Sequence, residues 1–401
     1  MLKAIIFDMD GVLVNSEPLH ARAGVEACAY FNIHIDTAYC YRYIGVPAAT
    51  MCKDIIREFT PDCIEEELLQ QIKKCKQRLV KEEGYPPVPG VTEMIRSLYR
   101  DGIHMAVASS SPYQDIVSVT KELGIFKYFD HFISASNSEH PKPEPDIFLN
   151  ALRVLGVDAK EAVVVEDSTY GCQAAKAANI ACLGLINPDS GKQDLSDAFQ
   201  LTESFENIGT TYFEQLLLRY LGLPVTIAKT RRLTIRELSV SDIPSMYQIY
   251  QNKNVRKFVD DIDDYLAIEI EKQEAYIKNV YGFYGYGLWG VFDRQGQLIG
   301  RCGIQNVMID DQPEIELSYL LNYQHWGMGY ALECTKAVIS YAFHELEIES
   351  LVARIDVLNE RSIHLIEKLN MENEKTLIQD GKTIYVYRIR KEDYDHLQNA
   401  R

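Results

Sequence analysis

Two carboxylates stand one residue apart at the end of a short apolar run near the start of the chain. Residues Ala4 to Phe7 are all apolar and predict a buried strand, and Asp8, Asp10 and Gly11 follow it. Side chains two residues apart in an extended chain point the same way, so the two carboxylates would converge. A Mg²⁺ ion would relieve their repulsion, leaving one aspartate to attack and the other to move a proton. The same Asp-Gly pair would also suit an ordinary turn.

Further polar groups follow other predicted strands. Ser109, with the backbone amide of Ser110 after it, can bind a phosphate oxygen, and Lys142 between two prolines can direct an ammonium group at an anion. Glu166 and Asp167 form a second acidic pair, which suits a cation that prefers oxygen ligands. Each group also has a plainer explanation. The serine and the acidic pair could cap helices, and the lysine could be a solvated loop charge.

The segments between these residues predict the elements that position them. Amphipathic helical patterns run from about Glu17 to Glu83, and a proline-rich cluster at 86–90 ends them. This insertion directly follows the first strand, so it would form a helical cap that excludes water and selects the substrate. From Val91 onward strands alternate with helices, which is typical of an α/β fold with a parallel, doubly wound sheet.

Taken in order, four segments resemble the haloacid dehalogenase (HAD) superfamily, in particular its β-phosphoglucomutase-like phosphatase branch with a small helical cap. The segments are residues 7–12, 107–111, 141–148 and 165–171. The resemblance covers roughly residues 1–220. It implies a HAD Rossmann-like parallel sheet with a helical cap, in a phosphatase domain at 1–222 whose cap spans about 16–86.

The resemblance also implies a role for each residue. Asp8 would attack phosphorus and become an aspartyl-phosphate, and Asp10 would protonate the leaving alkoxide and then deprotonate the attacking water. Ser109 and Lys142 would neutralise the phosphoryl oxygens. The expected Mg²⁺ ligands are Asp8, the main-chain carbonyl of Asp10, Asp167 and Glu166. The expected substrate contacts are Gly11, His20 and Ser110.

A phosphatase and a mutase remain to be distinguished. His20 stands where the mutase branch has a hinge histidine, although it could equally be an ordinary helix residue of the cap. Mutases also have a cap arginine just after a Gly-Val pair, which holds the second phosphate of the substrate. Here Gly45-Val46 is followed by Pro47 and two alanines. The sequence therefore favours hydrolysis of a small phosphate monoester, such as a sugar phosphate, with a sugar phosphate mutase as the alternative.

The second half of the chain has a different pattern. Residues 223–230 are expected to be a linker, and 231–401 predict an α+β domain with three consecutive strands. A glycine-rich segment, 322–331, lies between a predicted strand and a long helix, where backbone N–H groups can approach a diphosphate. Asn359 and Ser362 open a later helix, and the plainer reading of Asn359 is a helix cap.

This half resembles the GNAT N-acetyltransferases over about residues 231–391, through Gln324-x-x-Gly327-x-Gly329 and a later Asn-x-x-Ser. The resemblance implies acetyl-CoA as co-substrate and an amine as acetyl acceptor, with Glu316 as base. Many relatives also have a tyrosine acid on the last helix, and none is present here. A domain that only senses acetyl-CoA is the alternative. The expected cofactor contacts are Gln324, Gly327, Met328, Gly329, Tyr330, Ala331, Asn359 and Ser362.

Composition limits the partners and the compartment. A net charge of −17 disfavours nucleic acid and anionic membranes as partners. The nine cysteines are scattered and none forms Cys-x-x-Cys, which indicates reduced core thiols in a cytoplasmic protein. The chain enters its first strand too early for a signal peptide, and no apolar run is long enough to span a membrane. We expect a bifunctional cytoplasmic enzyme that acts on small molecules.

Overall fold

The chain divides into two compact units, Met1–Leu221 and Gly222–Arg401. A computed structural model describes residues 1–43, 48–135, 140–259 and 262–399. Each unit contains one sheet. Within the described ranges, every helix is too short or too polar to cross a membrane.

The first unit is built on a six-stranded sheet in the order β3-β2-β1-β4-β5-β6, with every neighbouring pair parallel. The prediction of an α/β fold with a parallel sheet is therefore confirmed. The strands are β1 Ala4–Phe7, β2 His104–Ser109, β3 His131–Ser134, β4 Ala162–Glu166, β5 Ala181–Leu185 and β6 Gln200–Thr202. The helices are α1 Glu17–Tyr30, α2 Thr37–Tyr41, α3 Ala48–Phe59, α4 Glu65–Glu83, α5 Val91–Arg100, α6 Tyr113–Glu122, α7 Asp146–Leu155, α8 Thr169–Ala177 and α9 Thr210–Tyr220.

Successive side chains of β1 point to opposite faces of the sheet and pack into a different apolar cluster on each face. Ile5 and Phe7 pack in a cluster with residues of α5, α6 and α9. Ala4 and Ile6 pack on the other face, with residues of α7 and α8. All four side chains are fully buried, so the end of β1 is fixed from both sides. Helices α1 to α4 form the cap around a third cluster of their own.

The second unit contains an eight-stranded mixed sheet in the order β13-β14-β12-β11-β10-β9-β8-β7. The strands are β7 Thr226–Lys229, β8 Thr234–Arg236, β9 Leu288–Phe292, β10 Leu298–Ile309, β11 Gln312–Leu321, β12 Ser350–Asp356, β13 Glu372–Gln379 and β14 Lys382–Arg390. The helices are α10 Ile243–Tyr250, α11 Lys253–Arg256, α12 Leu266–Tyr276, α13 Gly282–Tyr284, α14 Tyr330–His344, α15 Glu360–Lys368 and α16 Lys391–Asn399. A π-helical turn, Ile277–Tyr281, follows α12.

The predicted linker at 223–230 is wrong. Residues Thr226 to Lys229 form β7, which pairs antiparallel with β8 at the edge of the second sheet. Edge strands bury little side-chain surface, and here only Ile227 is buried. The sequence after Gly222-Leu223-Pro224 is short and polar and therefore predicted a linker, although its backbone forms β7 of the sheet.

Candidate active sites of the two units

Asp8 and Asp10 lie at the carboxyl end of β1, between β2 and β4 in the sheet. The Asp8 N–H donates to the Val165 carbonyl at 3.0 Å, which extends the parallel pairing by one residue. Gly11 follows with a φ of +79°, and its carbonyl accepts a hydrogen bond from Asn187 Nδ2 at 2.9 Å. Two acidic side chains are thus fixed at the sheet edge where open α/β folds bind ligands.

Two hydroxyl groups orient the Asp10 carboxylate. Ser16 Oγ donates to Asp10 Oδ1 at 2.6 Å, and Ser111 Oγ donates to Oδ2 at 2.7 Å. Ser16 immediately precedes α1 of the cap, whereas Ser111 follows β2 of the sheet. Both the cap and the core therefore fix this side chain. Sequence reasoning assigned no role to either serine, because these contacts depend on how the chain folds back on itself.

Lys142 lies buried between two carboxylates. Its Nζ is 2.5 Å from Asp8 Oδ1 and 2.5 Å from Glu166 Oε1. Burial alone would lower the pKa of Lys142, but the negative charges of Asp8 and Glu166 raise it above its usual range, so the ammonium group stays charged. Ser109 lies nearby, and its Oγ accepts a hydrogen bond from the Ser111 N–H at 3.0 Å.

Glu166 supports Lys142 and does not present a free oxygen. Its Oε2 accepts hydrogen bonds from the N–H groups of Asp167 and Ser168, at 3.0 and 3.1 Å, and from the Ser168 hydroxyl at 2.9 Å. Its Oε1 faces Lys142. Glu166 would have to exchange one of these partners to bind a cation directly, so its place among the metal ligands stays a prediction.

The remaining donors fit a hard cation such as Mg²⁺. Burial raises the pKa of Asp8 to about 7, with Glu166 and Asp10 adding to the rise and Lys142 opposing it. Burial and the neighbouring charges of Glu166 and Asp8 likewise raise the pKa of Asp167 well above its usual range. The negative charge at this spot exceeds what one lysine can neutralise, and a cation would neutralise the excess.

Close packing fixes Asp167 beside the end of β1, where the cation is expected. A Cβ atom at Gly11 would lie 1.8 Å from Asp167 Oδ2, so only glycine fits there. Asp167 also accepts a hydrogen bond from the Ser190 hydroxyl. Across the described part of the chain, no three His, Cys, Asp or Glu side chains form a ready metal cage. The predicted ligands that Lys142 and the amides of residues 167 and 168 do not fully engage are Asp8, Asp167 and the carbonyl of Asp10.

The expected substrate contacts differ in their surroundings. Ser110 is exposed. His20, on α1 of the cap, is largely buried, and burial together with Lys76 lowers the pKa of His20 to about 4. Its buried Nε2 has no hydrogen-bond partner among the described residues. A neutral histidine with an unused ring nitrogen can bind a substrate hydroxyl group. The Gly45–Pro47 segment, on which the mutase comparison depended, lies outside the described residues.

In the second unit, the glycine-rich segment forms an exposed turn before α14. Gly327 and Gly329 have φ values of +77° and +79°, in the left-handed region that favours glycine. Asn322 Oδ1 accepts from the Gln324 N–H at 3.2 Å, and Trp326 Nε1 donates to the Leu321 carbonyl at 2.8 Å. These bonds fix the loop so that the amides at the start of α14 remain open to an anion.

Asn359 is the N-cap of α15, as the plainer interpretation proposed. Its Oδ1 accepts from the Ser362 N–H at 3.3 Å, which leaves the Nδ2 group for a ligand. Strands β11 and β12 pair at one position only, Glu316 with Val352. Backbone groups beyond that position lack a strand partner inside the sheet, and an extended ligand with amide groups can pair there.

Glu316, the predicted base, is buried and paired with an arginine of the neighbouring strand. Arg354 donates to both of its carboxylate oxygens, from Nε at 2.8 Å and from Nη2 at 3.1 Å, and Gln305 Nε2 donates to it at 2.9 Å. A two-pronged pair with a guanidinium group fixes the orientation of a carboxylate and occupies both of its oxygens. The pair joins β11 to β12, and the role of Glu316 as base stays a prediction.

Each unit matches the profile of a known family. The profile described as haloacid dehalogenase-like hydrolase matches residues 5–185. The profile described as acetyltransferase (GNAT) domain matches residues 232–372.

Individual relatives match about half of the chain. A phosphorylated carbohydrates phosphatase of Thermotoga maritima is 32% identical over 188 residues, which are 45% of this chain and 82% of that protein. The fructose-1-phosphate phosphatase YqaB of Escherichia coli is 30% identical over 176 residues, 44% of this chain and 92% of that protein. SUPPRESSOR OF QUENCHING 1, a chloroplastic protein of Arabidopsis thaliana, is 33% identical over 190 residues, 46% of this chain, but the match spans only 18% of that longer protein.

The sheet topology of the first unit, the carboxylates at the end of its β1 and the matches to phosphatases lead to one assignment. The chain belongs to the haloacid dehalogenase-like hydrolases through a phosphatase domain in its first unit, and residues 232–372 of its second unit match the GNAT acetyltransferase profile.

Proposed function

We propose that the protein is a bifunctional enzyme: a Mg²⁺-dependent phosphatase for a small sugar phosphate and an acetyl-CoA-dependent N-acetyltransferase. The observation that supports the first activity best is the arrangement at the end of β1. Asp8 contacts a buried ammonium group at 2.5 Å, while Asp10, two residues on, is fixed by two hydroxyl groups. This arrangement gives the two carboxylates different roles, with Asp8 as the nucleophile and Asp10 as the group that transfers a proton.

Asp8 would attack phosphorus in line and form an aspartyl-phosphate as the bond to the leaving oxygen breaks. Asp10 would give its proton to that leaving alkoxide. It would then take a proton from a water molecule, which attacks the aspartyl-phosphate, releases inorganic phosphate and restores Asp8. The hydrogen bonds from Ser16 and Ser111 keep Asp10 in position for both transfers.

Lys142 and Ser109 would stabilise the charge on the transferring phosphoryl group. Lys142 is already charged and buried, so little reorganisation accompanies the reaction. Ser109 Oγ accepts from the Ser111 N–H, which leaves its own proton for a phosphoryl oxygen. Mg²⁺ held by Asp8, Asp167 and the Asp10 carbonyl would supply further neutralisation of the phosphate charge.

The substrate class rests on relatives and on the cap. Two of the relatives are named for phosphorylated carbohydrates and for fructose 1-phosphate, both sugar phosphates. The buried and unused Nε2 of His20, on the cap helix α1, suits a sugar hydroxyl. We propose a cytoplasmic enzyme, because all nine cysteines are buried free thiols, which suit a reducing compartment.

The acetyltransferase activity is supported by the loop before α14 and by the opening between β11 and β12. Amides of residues 324–331 would bind the diphosphate of acetyl-CoA, and Asn359 Nδ2 would bind its pantetheine arm. The acceptor amine would attack the acetyl carbonyl as the bond to the CoA sulfur breaks. Because Glu316 is paired with Arg354, the proton that the nitrogen loses would pass first to a bound water and then to the leaving CoA thiolate.

The decisive experiment is phosphate release from a panel of phosphate esters, with Mg²⁺ and with EDTA. The panel includes amino-sugar phosphates with and without an N-acetyl group. Metal-dependent release that disappears in Asp8→Asn is the expected result. Isomerisation of a sugar phosphate without release would instead establish a mutase, and no reaction with any ester would refute the phosphatase proposal.

A further inference from the structure

A basic cavity of about 430 Å³ lies in the second unit beside the loop that precedes α14. Its walls come from three separate parts of that unit: the approach to β8, the turn between β9 and β10, and the start of α14. The lining residues are Arg231, Arg232, Asp293, Arg294, Gln295 and Tyr330. None of the activities proposed so far uses the arginines.

The cavity is locally positive in a chain whose net charge is −17. The only acid in its lining, Asp293, already accepts hydrogen bonds at Oδ1 from the N–H groups of Gln295 and Gln297, at 2.9 and 2.8 Å. Arg232 is paired with Glu333, its Nε lying 2.6 Å from a carboxylate oxygen. Three guanidinium groups against these two carboxylates leave a positive excess, which favours an anion.

Two of the arginines are arranged as a pair. Arg294 donates from Nε and Nη2 to the carbonyl of Arg231, at 2.9 and 2.6 Å. This places the guanidinium group of Arg294 beside the backbone of Arg231. Both side chains are exposed, and the described residues provide no acid for the Arg231 guanidinium. Guanidinium groups are well matched to phosphate oxygens, because they donate two parallel hydrogen bonds.

The cavity shares a wall with the glycine-rich loop. Arg232 Nη1 donates to the Met328 carbonyl at 2.9 Å, and its guanidinium carbon lies 4.3 Å from the centre of the Tyr330 ring. Met328 and Tyr330 both belong to the segment proposed to bind the diphosphate. A ligand with one phosphate group at the loop can therefore place a second one in the cavity.

We propose that this cavity binds the 3′-phosphate on the adenosine of acetyl-CoA, an inference that rests on the proposed acetyltransferase function. Acetyl-CoA has a diphosphate and, one ribose away, a terminal phosphate with close to two negative charges. Amides of the loop would take the diphosphate, and Arg231 and Arg294 would take the terminal phosphate. These arginines would thus make the second unit select CoA over its 3′-dephosphorylated form.

The test is calorimetric titration of the full-length protein with CoA and with 3′-dephospho-CoA. No acetyl acceptor is needed, so the test does not depend on identifying one. We expect the wild type to bind CoA about tenfold more tightly than 3′-dephospho-CoA, which is the size of effect expected for a charge-assisted phosphate contact on an exposed surface. In the double variant Arg231→Gln, Arg294→Gln, affinity for CoA falls to that for dephospho-CoA, which itself changes little.

Arg390→Gln is the matched control, because Arg390 is a half-exposed arginine of the same unit, 3.8 Å from Glu374. It should keep the wild-type preference, and a thermal melt checks that each variant folds. Equal affinity of the wild type for both ligands would overturn the inference while leaving CoA binding intact. If Arg390→Gln lost the preference for CoA as completely as the double variant, the preference would reflect overall charge, and the inference would be overturned. Failure to bind either ligand would refute the acetyltransferase proposal itself.

Discussion

In the first unit the proposed phosphate site consists of buried side chains, whereas in the second it consists of exposed backbone amides and arginines. Asp8, Glu166 and Asp167 are each at most 7% exposed. In contrast, Gly327, Met328 and Gly329 are all exposed. In the proposed function the first site breaks a phosphate bond, which requires groups with shifted pKa values in a fixed geometry. The second would hold a phosphate that does not react, for which donors at the surface are sufficient.

The difference predicts how each site responds to substitution. A site built from a few buried side chains should fail when one of them changes. A site built from many backbone donors should weaken gradually, because no single side chain supplies most of the binding energy. The following variants test this contrast, from the largest expected effect to the smallest.

Replacing Asp8 by asparagine should abolish turnover. The amide has no charge with which to attack phosphorus, so phosphate release should fall by about 10⁴-fold or more. Release from the preferred ester measures this, and CoA titration should be unchanged. Asp62→Asn, at an exposed cap aspartate, is the control. Appreciable release by Asp8→Asn would remove Asp8 as the nucleophile.

Replacing Lys142 by methionine should cost both activity and stability. Loss of the ammonium group removes a donor to the phosphoryl oxygens, and kcat/KM should fall by roughly 10²- to 10³-fold. It also leaves Asp8 and Glu166 facing each other while buried, which should lower the free energy of unfolding by about 3 kcal/mol. Phosphate release and chemical denaturation measure the two effects.

Lys176→Met is the matched control, because Lys176 pairs with Asp197 but is two-thirds exposed. An exposed ion pair contributes at most about 1 kcal/mol, so this variant should change neither quantity much. Equal loss of stability in both variants would mean that the buried position of Lys142 has no special importance.

Replacing Gly11 by alanine should displace Asp167 without removing any catalytic group. The new Cβ would lie 1.8 Å from Asp167 Oδ2, so that carboxylate must move, and kcat/KM should fall by about tenfold. Gly102→Ala separates this clash from backbone strain, since Gly102 has the same φ of +79° but no atom within 4 Å of the added Cβ. If both variants lost activity equally, strain rather than the position of Asp167 would be responsible.

Replacing Asn359 by alanine should have the smallest effect and should spare the phosphatase. It removes the cap of α15, at a cost of about 1 kcal/mol in stability, and one amide donor to CoA. We expect CoA affinity to fall by about fivefold, in line with one neutral hydrogen bond. Asn359→Ser keeps a capping oxygen but lacks the donor. Wild-type affinity in the serine variant would show that Asn359 acts only as a cap.

Sequence reasoning found the groups that follow strands but not the groups that position them. Asp8 could be placed because an apolar run of four residues predicts a buried strand, and its end is a known ligand position in such sheets. Ser190, which donates to Asp167, lies 23 residues further along and has no local signal. The same holds for Asn187, whose contact with Gly11 spans 176 residues.

The partners of two predicted acids show the same limit. Glu166 and Glu316 look in the sequence like other acidic residues at functional positions. Only the fold reveals that Lys142 and the amides of residues 167 and 168 surround Glu166, and that Arg354 on the neighbouring strand is paired with Glu316. Whether a carboxylate can bind a cation or accept a proton depends on the groups that contact it, and these come from distant parts of the chain.

Strand β7 determines where the two units can be separated. A fragment that starts at Arg231, where the acetyltransferase pattern begins, would lack the edge of its own sheet. The exposed backbone of β8 would then be free to pair with other molecules, so the fragment should aggregate. It would also lose Thr230, whose hydroxyl donates to Glu333 on α14 at 2.7 Å and so helps to anchor the helix behind the glycine-rich loop. Cutting after Leu221 keeps the strand, and it is the place to divide the gene when the halves are to be purified apart.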